Sequence, residues 1–299
     1  MATSEAIEIS SNGYLARLNT LGARHEKLTF NGRNLIEERR PDPRGFYCGD
    51  ILAPWPNRIE DGIYEFAGQK YSVEVNEVAR RNALHGLVTN EIWQISNRTT
   101  DAVTFSLDAP ANEGYPFHLQ YLLEYRVDGD GLSIKLTAHN RGDGPAPFGA
   151  SIHPYLIADE STGVNQWEIT LPADHFMSVD GERLLPVGIE SVAATDFDFR
   201  NGRTIKDTFI DHAFKVSDGP VARVVTVKAP SGNGVAMEFD SSSKWVQIHT
   251  ADRDGDPTGR LSLAVEPMSC PPNSFNSGLD LVLLEPGTDY SISWRIKAI

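Results

Sequence analysis

Residues 119–136 read LQYLLEYRVDGDGLSIKL, and this stretch decides the fold. Its first half alternates apolar and mostly polar residues, with apolar side chains at Leu119, Tyr121, Leu123, Tyr125 and Val127. Residues 128–131 read DGDG, which is typical of a tight turn, and the alternation then resumes through residues 132–136. Because successive side chains of a strand point to opposite faces, the stretch predicts a β-hairpin with one face against a core.

The same period of two recurs along the chain, at residues 71–75, 103–107, 246–248 and 292–296. Helical spacing is rare, and we expect one short helix over residues 204–210. The pattern predicts an all-β protein, a large antiparallel β-sandwich. No linker divides the 299 residues, because the Gly- and Pro-rich stretch 141–147 leads directly into another strand. We therefore expect a single domain over residues 1–299.

Composition excludes several classes of partner. The formal net charge of −14 argues against nucleic acid and against an anionic membrane surface. No apolar run approaches the ~20 residues that a membrane-spanning helix needs, and the N-terminus has no signal-peptide pattern. Cys48 and Cys270, the two cysteines, provide neither a disulfide framework nor zinc spacing. The expectation is a cytoplasmic protein, a monomer or a homodimer, with no metal and no cofactor.

One acidic stretch resembles the start of a calcium loop. Residues 252–256 read DRDGD, but Pro257 stands where the turn glycine belongs. Leu263 stands where the bidentate glutamate belongs. An acidic surface loop is the better interpretation.

Three distant segments place an ionisable side chain at the end of an apolar run, beside a residue that breaks regular structure. They contain His85, His153 and Glu266. Burying such a group costs free energy unless it is paired, so packing alone does not explain its presence there. Each could be a separately satisfied buried polar group. Together, two histidines and a carboxylate at strand ends suit general acid–base chemistry.

A fourth segment carries residues suited to a sugar. Trp55 lies between two prolines and is followed by Asn57 and Arg58. An indole face covers the C–H bonds of a sugar ring, while Asn and Arg hydrogen-bond its hydroxyls. The alternative is a rigid surface loop whose Trp packs on the core.

Six motifs in series resemble the aldose 1-epimerase (galactose mutarotase) family: Asn57-Arg58-Ile59 with Gly62 and Gly68, Asn82-Ala83-Leu84-His85-Gly86, His153-Pro154-Tyr155, Asp211-His212-Ala213-Phe214, Trp245-Val246-Gln247 and Glu266-Pro267. They follow the family's order over residues 50–270. The resemblance implies a β-sandwich with a sugar cleft, Glu266 as general base and His153 as general acid. It also implies His85 beside the sugar ring, and Arg58, Asp211 and Gln247 as ligands of hydroxyls.

The expected substrate is a free aldose, and the expected activity is interconversion of its α and β anomers. One alternative is a hexose-6-phosphate 1-epimerase of the same superfamily, with Arg80 and Arg81 near the phosphate. Adjacent residues of an extended stretch point to opposite faces, so both arginines can hardly line one pocket, which favours the neutral sugar. The other alternative is a non-catalytic carbohydrate-binding β-sandwich.

Overall fold

Antiparallel strands are the main secondary structure of the protein. The computed structural model describes residues 4–39, 46–217, 223–253, 255 and 258–299. About 50% of it is strand and 4% is helix. The acidic stretch 252–256 lies partly outside the described residues, since Asp254, Asp256 and Pro257 are not among them.

In the first half of the chain, the strands are β1 (Ala6–Ser11), β2 (Tyr14–Asn19), β3 (His25–Phe30), β4 (Arg33–Asn34), β5 (Ile51–Leu52), β6 (Arg58–Glu60), β7 (Ile63–Phe66), β8 (Gln69–Ser72), β9 (Asn82–Leu84), β10 (Gln94–Arg98), β11 (Ala102–Ala109), β12 (Leu119–Asp128), β13 (Gly131–Asn140), β14 (Ala146–Phe148) and β15 (Ser151–Ile152). In the second half they are β16 (Tyr155–Leu156), β17 (Glu168–Thr170), β18 (Ala173–Val179), β19 (Pro186–Ser191), β20 (Arg203–Thr204), β21 (Asp211–Val216), β22 (Val224–Lys228), β23 (Gly234–Phe239), β24 (Trp245–His249), β25 (Leu263–Met268), β26 (Val282–Leu284) and β27 (Asp289–Ala298). Helical segments are the 3-10 helices Val78–Arg80 and Val164–Gln166 and the α-helix α1 (Ser274–Ser277).

Two large sheets dominate the architecture. The first has nine strands in the order β10-β11-β12-β13-β27-β23-β22-β17-β20. The second has six strands in the order β16-β25-β24-β21-β18-β19. Strands β1 to β4 form a further four-stranded sheet. The predicted antiparallel β-sandwich is therefore confirmed.

The core lies between the inner faces of these sheets. Its largest hydrophobic cluster joins Leu18 of β2, Tyr125 of β12 and Ile248 of β24, each 1% exposed or less. In β12, buried and solvent-facing residues alternate strictly over most of the strand. This alternation is why the period of two predicts the strand and also the face that it buries.

The predicted hairpin is present, and the predicted helix is not. β12 and β13 pair from Leu119–Asn140 to Asp128–Gly131, so Gly129 and Asp130 form the turn. Residues 204–210 were expected to be helical, but Thr204 ends strand β20 and turn and irregular backbone follow. Since β20 pairs with β17 at the edge of the nine-stranded sheet, tertiary pairing overrides the local helical spacing. In the described part of the chain, no helix is long and apolar enough to cross a membrane.

Candidate active site

Three neighbouring strands of the six-stranded sheet carry three of the predicted site residues. Gln247 of β24 lies opposite Glu266 of β25 in the strand register. On its other side, β24 pairs with β21, whose first residue is Asp211. The Gln247 side-chain amide donates a hydrogen bond to Asp211 Oδ1 over 2.6 Å. Register alone thus brings together residues that are up to 55 positions apart in the sequence.

His153 is placed by backbone hydrogen bonds to a turn far away in the chain. It follows β15, and its amide donates to the Asp50 carbonyl over 3.0 Å. Its own carbonyl accepts from Gly49 N over 2.9 Å. In this position His153 Nε2 lies 3.3 Å from Glu266 Oε1, with both side chains buried.

His85 and the glycine that follows it both have left-handed backbone conformations, which few residue types adopt easily. His85 has a φ of 63°, and Gly86 after it has a φ of 76°. A Cβ atom on Gly86 would lie 2.0 Å from the Ala53 carbonyl oxygen, so only glycine fits there. The His85 Nδ1 accepts a hydrogen bond from Asn57 N over 3.2 Å. In the neutral imidazole the proton is therefore on Nε2, which makes Nε2 a donor.

Arg58 is fixed by a carboxylate that the sequence analysis did not identify. Its Nε donates to Glu77 Oε2 over 2.9 Å, and its Nη2 donates to Glu77 Oε1 over 3.0 Å. Arg80 and Asn82 donate to the same carboxylate. A second carboxylate near Arg58 is that of Asp211, whose Oδ2 lies 3.9 Å from Nη2. The bidentate pair fixes the plane of the guanidinium group inside the site.

A single cavity of about 510 Å³ collects all but one of the predicted residues. Those that line it are Asn57, Arg58, His85, His153, Asp211, Gln247 and Glu266. Arg80 also lines the cavity, whereas Arg81 is not part of its wall. These two arginines were expected on an extended stretch, but the structure does not place them on one. Arg80 ends a 3-10 helix and Arg81 has a left-handed backbone, with a φ of 57°.

The expectation of a sugar-facing indole at Trp55 is corrected. Trp55 is 2% exposed and is not part of the cavity wall. Its ring contacts Phe275 of α1 edge-on, with centroids 5.6 Å apart. Burying a large aromatic surface in the core stabilises the fold more than exposing it would, which favours the inward orientation of Trp55.

Burial drives both members of the His153–Glu266 pair toward their neutral forms. Burial, and next to it the nearby His249, lower the pKa of His153 to about 3. Burial and the neighbouring Asp211 raise the pKa of Glu266 well above its usual value. Asp211 by itself raises the pKa of His153, but desolvation outweighs its attraction, so the net shift is downward.

Asp211, in contrast, is stabilised in its charged form. Burial alone would raise its pKa, but His249, Arg58 and the hydrogen bond from Gln247 together lower it below the usual value. It is therefore an ionised acceptor at neutral pH. Burial, His153 and Arg58 lower the pKa of His85 well below 6.5, which keeps that ring neutral.

Several polar atoms of the cavity have no hydrogen-bond partner among the described residues. They are Glu266 Oε2, Gln247 Oε1, His153 Nδ1 and His249 Nδ1. Buried polar atoms normally have partners, so a cluster of unpaired ones is typical of a site for a polar ligand. Within the described residues, no group of three or more His, Cys, Asp or Glu side chains could hold a metal ion.

The cavity residues that the sequence did not reveal include Tyr47, Glu77 and His249. His249 had a usable signal, because it lies two positions after Gln247 on one strand and therefore on the same face. Tyr47 and Glu77 lie on irregular segments, where no periodicity predicts the direction of a side chain.

Together, the fold and the cavity define a galactose mutarotase-like β-sandwich. The chain belongs to the aldose 1-epimerase family, whose model matches residues 5–297. The uncharacterized protein YihR of Escherichia coli K12 is 36% identical over 296 residues, which cover 98% of this chain and 93% of YihR. The galactose mutarotase of Bos taurus is 28% identical over 266 residues, covering 82% of this chain and 76% of that enzyme. A solved GalM/aldose epimerase homologue from C. elegans shares the fold, with a TM-score of 0.86 at 22% identity over 99% of this chain and 100% of that one.

Proposed function

We propose that this protein is a mutarotase that interconverts the α and β anomers of a free hexose, with Glu266 as base and His153 as acid. The observation that carries the proposal is the 3.3 Å approach of His153 Nε2 to Glu266 Oε1 in the wall of a polar cavity. The second oxygen of Glu266 has no partner among the described residues and is available to a sugar hydroxyl. Membership of an isomerase family adds independent support.

The reaction needs one base and one acid. The base takes the proton of the C1 hydroxyl while the acid protonates the ring oxygen, and the C1–O5 bond breaks to give the open-chain aldehyde. Rotation about C1–C2 presents the other face of the aldehyde, and the ring closes with the two roles exchanged. Ring opening moves one proton from the sugar to Glu266 and one from His153 to the sugar, and ring closure reverses both transfers. The enzyme thus returns to its starting state without a covalent intermediate.

The His153–Glu266 pair needs to hold one proton in total. Burial favours the form with a neutral imidazole and a carboxylic acid, since it lowers the pKa of His153 and raises the pKa of Glu266. Transfer of that proton across the 3.3 Å gap gives imidazolium and carboxylate without changing the net charge of the site. Hydrogen bonds from sugar hydroxyls to Glu266 stabilise the carboxylate form, which is the form that accepts the C1 proton.

The remaining residues position the sugar. The protonated Nε2 of His85 donates to a ring substituent, since its Nδ1 is occupied by the backbone of Asn57. Arg58 donates to hydroxyls, and the ionised Asp211 accepts from them. Gln247 contributes its free Oε1 as an acceptor. Asn57 lines the same cavity and accepts from Arg58 Nη1 over 3.3 Å, so it supports the guanidinium group.

A second candidate substrate, a hexose 6-phosphate, is favoured by one observation. Arg80 lines the cavity, and its buried Nε has no hydrogen-bond partner among the described residues. A guanidinium with a free edge can bind a phosphate. Its Nη1, however, lies 3.3 Å from Glu77 Oε1, which offsets part of its charge. The neutral hexose remains the first proposal, because Glu77, Asp211 and Asp252 also line the cavity.

The test is a panel of pure anomers of glucose, galactose and glucose 6-phosphate, followed by polarimetry and by NMR saturation exchange. The proposal expects kcat/KM to be higher for a free hexose than for its phosphate. Arg80→Ala is compared with Arg81→Ala, the neighbour outside the cavity. A strong preference for the phosphate that only Arg80→Ala abolishes would establish the second candidate instead.

His153→Asn gives the control for chemistry, with an expected loss of at least ~10² in turnover. A protein that binds these sugars without accelerating anomerisation above the spontaneous rate would be a carbohydrate-binding sandwich rather than an enzyme.

A further inference from the structure

Tyr47 lines the cavity, and neither the motifs nor the proposed chemistry uses it. Its ring centroid is 4.5 Å from that of His85, in an edge contact. It is 6.4 Å from that of His153, with the two planes only 26° apart. The two imidazoles are themselves 5.2 Å apart. The three rings therefore form one cluster, in which His85 packs edge-on against both Tyr47 and His153.

The backbone that carries Tyr47 also carries His153. Tyr47 begins a turn that closes with a hydrogen bond from Asp50 N to its carbonyl, over 2.9 Å. Gly49 and Asp50 of this turn make the two backbone hydrogen bonds to His153 described above. Asp50 is in turn held by Arg24, whose Nε lies 3.0 Å from Asp50 Oδ1. A displacement of the turn would therefore move Tyr47 and His153 together.

A side chain connects Tyr47 to the other histidine. Asn76 Nδ2 donates to the Tyr47 hydroxyl over 3.1 Å and to the Leu84 carbonyl over 3.1 Å. Leu84 N donates back to Asn76 Oδ1 over 2.6 Å. Leu84 is the last residue of β9 and directly precedes His85. Asn76 thus ties the phenol to the strand that presents the second imidazole.

The backbone of Tyr47 is strained, which an ordinary wall residue would not require. Its φ is 53°, in the left-handed region that non-glycine residues rarely adopt. Such strain persists only where the surrounding structure imposes it, and it is concentrated at functional sites. His85 and Asn57 share this left-handed conformation in the same cavity.

The hydrogen of the Tyr47 hydroxyl is available for a hydrogen bond. Asn76 donates to its oxygen, and the described residues include no acceptor for its hydrogen. Burial, followed by Asp50 and Glu77, raises the pKa of Tyr47 above 10, so the phenol stays protonated and acts as a donor. Tyr47 lines the cavity, so an oxygen of a ligand bound there can accept this hydrogen.

We propose that Tyr47 is a further substrate-binding and positioning residue. Its hydroxyl donates to a sugar oxygen, and its ring holds the imidazoles of His85 and His153 in position. The inference rests on the proposed mutarotase function. The two parts of the Tyr47 side chain have separate effects. The hydroxyl affects sugar binding, and the ring affects turnover through the histidines.

The experiment compares Tyr47→Phe, Tyr47→Leu and the control Tyr290→Phe. Tyr290 donates to a backbone carbonyl over 3.4 Å, and it is not part of the cavity wall. Initial rates of galactose and glucose anomerisation give kcat and KM between pH 5 and 9. Calorimetric titration with the same sugars gives affinity without reference to turnover. Circular dichroism and the melting temperature show whether each variant is folded.

Tyr47→Phe should raise KM and the calorimetric Kd by ~5-fold, the value of one net hydrogen bond, with kcat within ~2-fold of wild type. Tyr47→Leu should in addition lower kcat by ~10-fold and shift the pH profile, because the imidazoles lose their neighbour. Tyr290→Phe should match wild type in all of these.

Folded Tyr47 variants that keep wild-type kcat, KM and Kd would overturn the inference, as would a Tyr290→Phe variant with the same losses. If wild type anomerises no sugar, the mutarotase proposal fails by itself. The calorimetric comparison still decides the role of Tyr47, since unchanged affinity in Tyr47→Phe excludes a contact between its hydroxyl and the sugar.

Discussion

Removing the charge of Glu77 is the perturbation whose magnitude the structure defines best. Glu77 and Arg58 form a bidentate ion pair, with side chains only 12% and 9% exposed. Removing one partner of a buried pair costs ~3–5 kcal/mol, because the other charge remains buried. Asp211 still lies 3.9 Å from Arg58 and compensates part of that charge, so Glu77→Gln should cost about 3 kcal/mol, near the lower end.

The assay has two arms, stability and activity. Urea unfolding should show the loss of about 3 kcal/mol with an unchanged m-value, and the melting temperature should fall by ~6 °C. In the folded variant, kcat/KM should fall by ~10-fold, because Arg58 no longer has a fixed plane from which to donate to the sugar.

Glu74→Gln is the matched control. Glu74 lies on the same segment but is exposed, so its substitution should stay within ~0.5 kcal/mol of wild type. A double-mutant cycle with Arg58→Met measures the coupling directly, and the double variant should be little worse than Arg58→Met alone. The reasoning is refuted if Glu77→Gln matches Glu74→Gln in both stability and kcat/KM.

Three further predictions follow from the buried histidines and from Gly86. Burial lowers the pKa of His25 to about 3, below the ~6.5 of the unfolded chain, so stability is fully present above pH 6.5 and falls toward pH 3. Removing the group in His25→Phe should therefore flatten the pH dependence of urea unfolding by up to ~1.4 kcal/mol per pH unit, and an unchanged slope would refute this prediction. Gly86→Ala should lower the melting temperature and kcat together, because its Cβ meets the backbone oxygen described above, while Gly181→Ala, whose Cβ meets nothing within 4 Å, should change neither. Since the pKa of His153 is about 3, kcat should hold as pH falls through 6.5 for as long as the protein stays folded, and an acid limb centred at pH 6.5 would contradict the assignment.

The sequence predicted the parts of this protein that periodicity controls. The alternation in residues 119–136 gives both strands of a central hairpin and the face that each buries. The apolar run ending at Glu266 gives a strand whose carboxylate side chain is buried. Both depend on neighbouring residues along one strand, which a single sequence contains.

What the sequence could not predict depends on contacts between distant segments. Glu77 reaches Arg58 across 19 positions, from a segment without regular structure. Tyr47 owes its direction to a left-handed backbone and to Asn76, 29 positions away. Trp55 was expected to face a sugar, because the flanking prolines show that the loop is rigid but not which way the indole turns. The sign of the His153 pKa shift likewise depends on burial, which the sequence does not give.

The central claim is that Glu266 transfers a proton during anomerisation, and Glu266→Gln tests it most directly. NMR saturation exchange between the α and β anomers measures turnover, and calorimetry on the same samples measures sugar affinity. Gln keeps the shape of the side chain, so the variant should stay folded and bind the sugar with nearly unchanged affinity. Its turnover should fall by a factor of at least ~10². A folded Glu266→Gln protein with near-wild-type turnover would contradict the account.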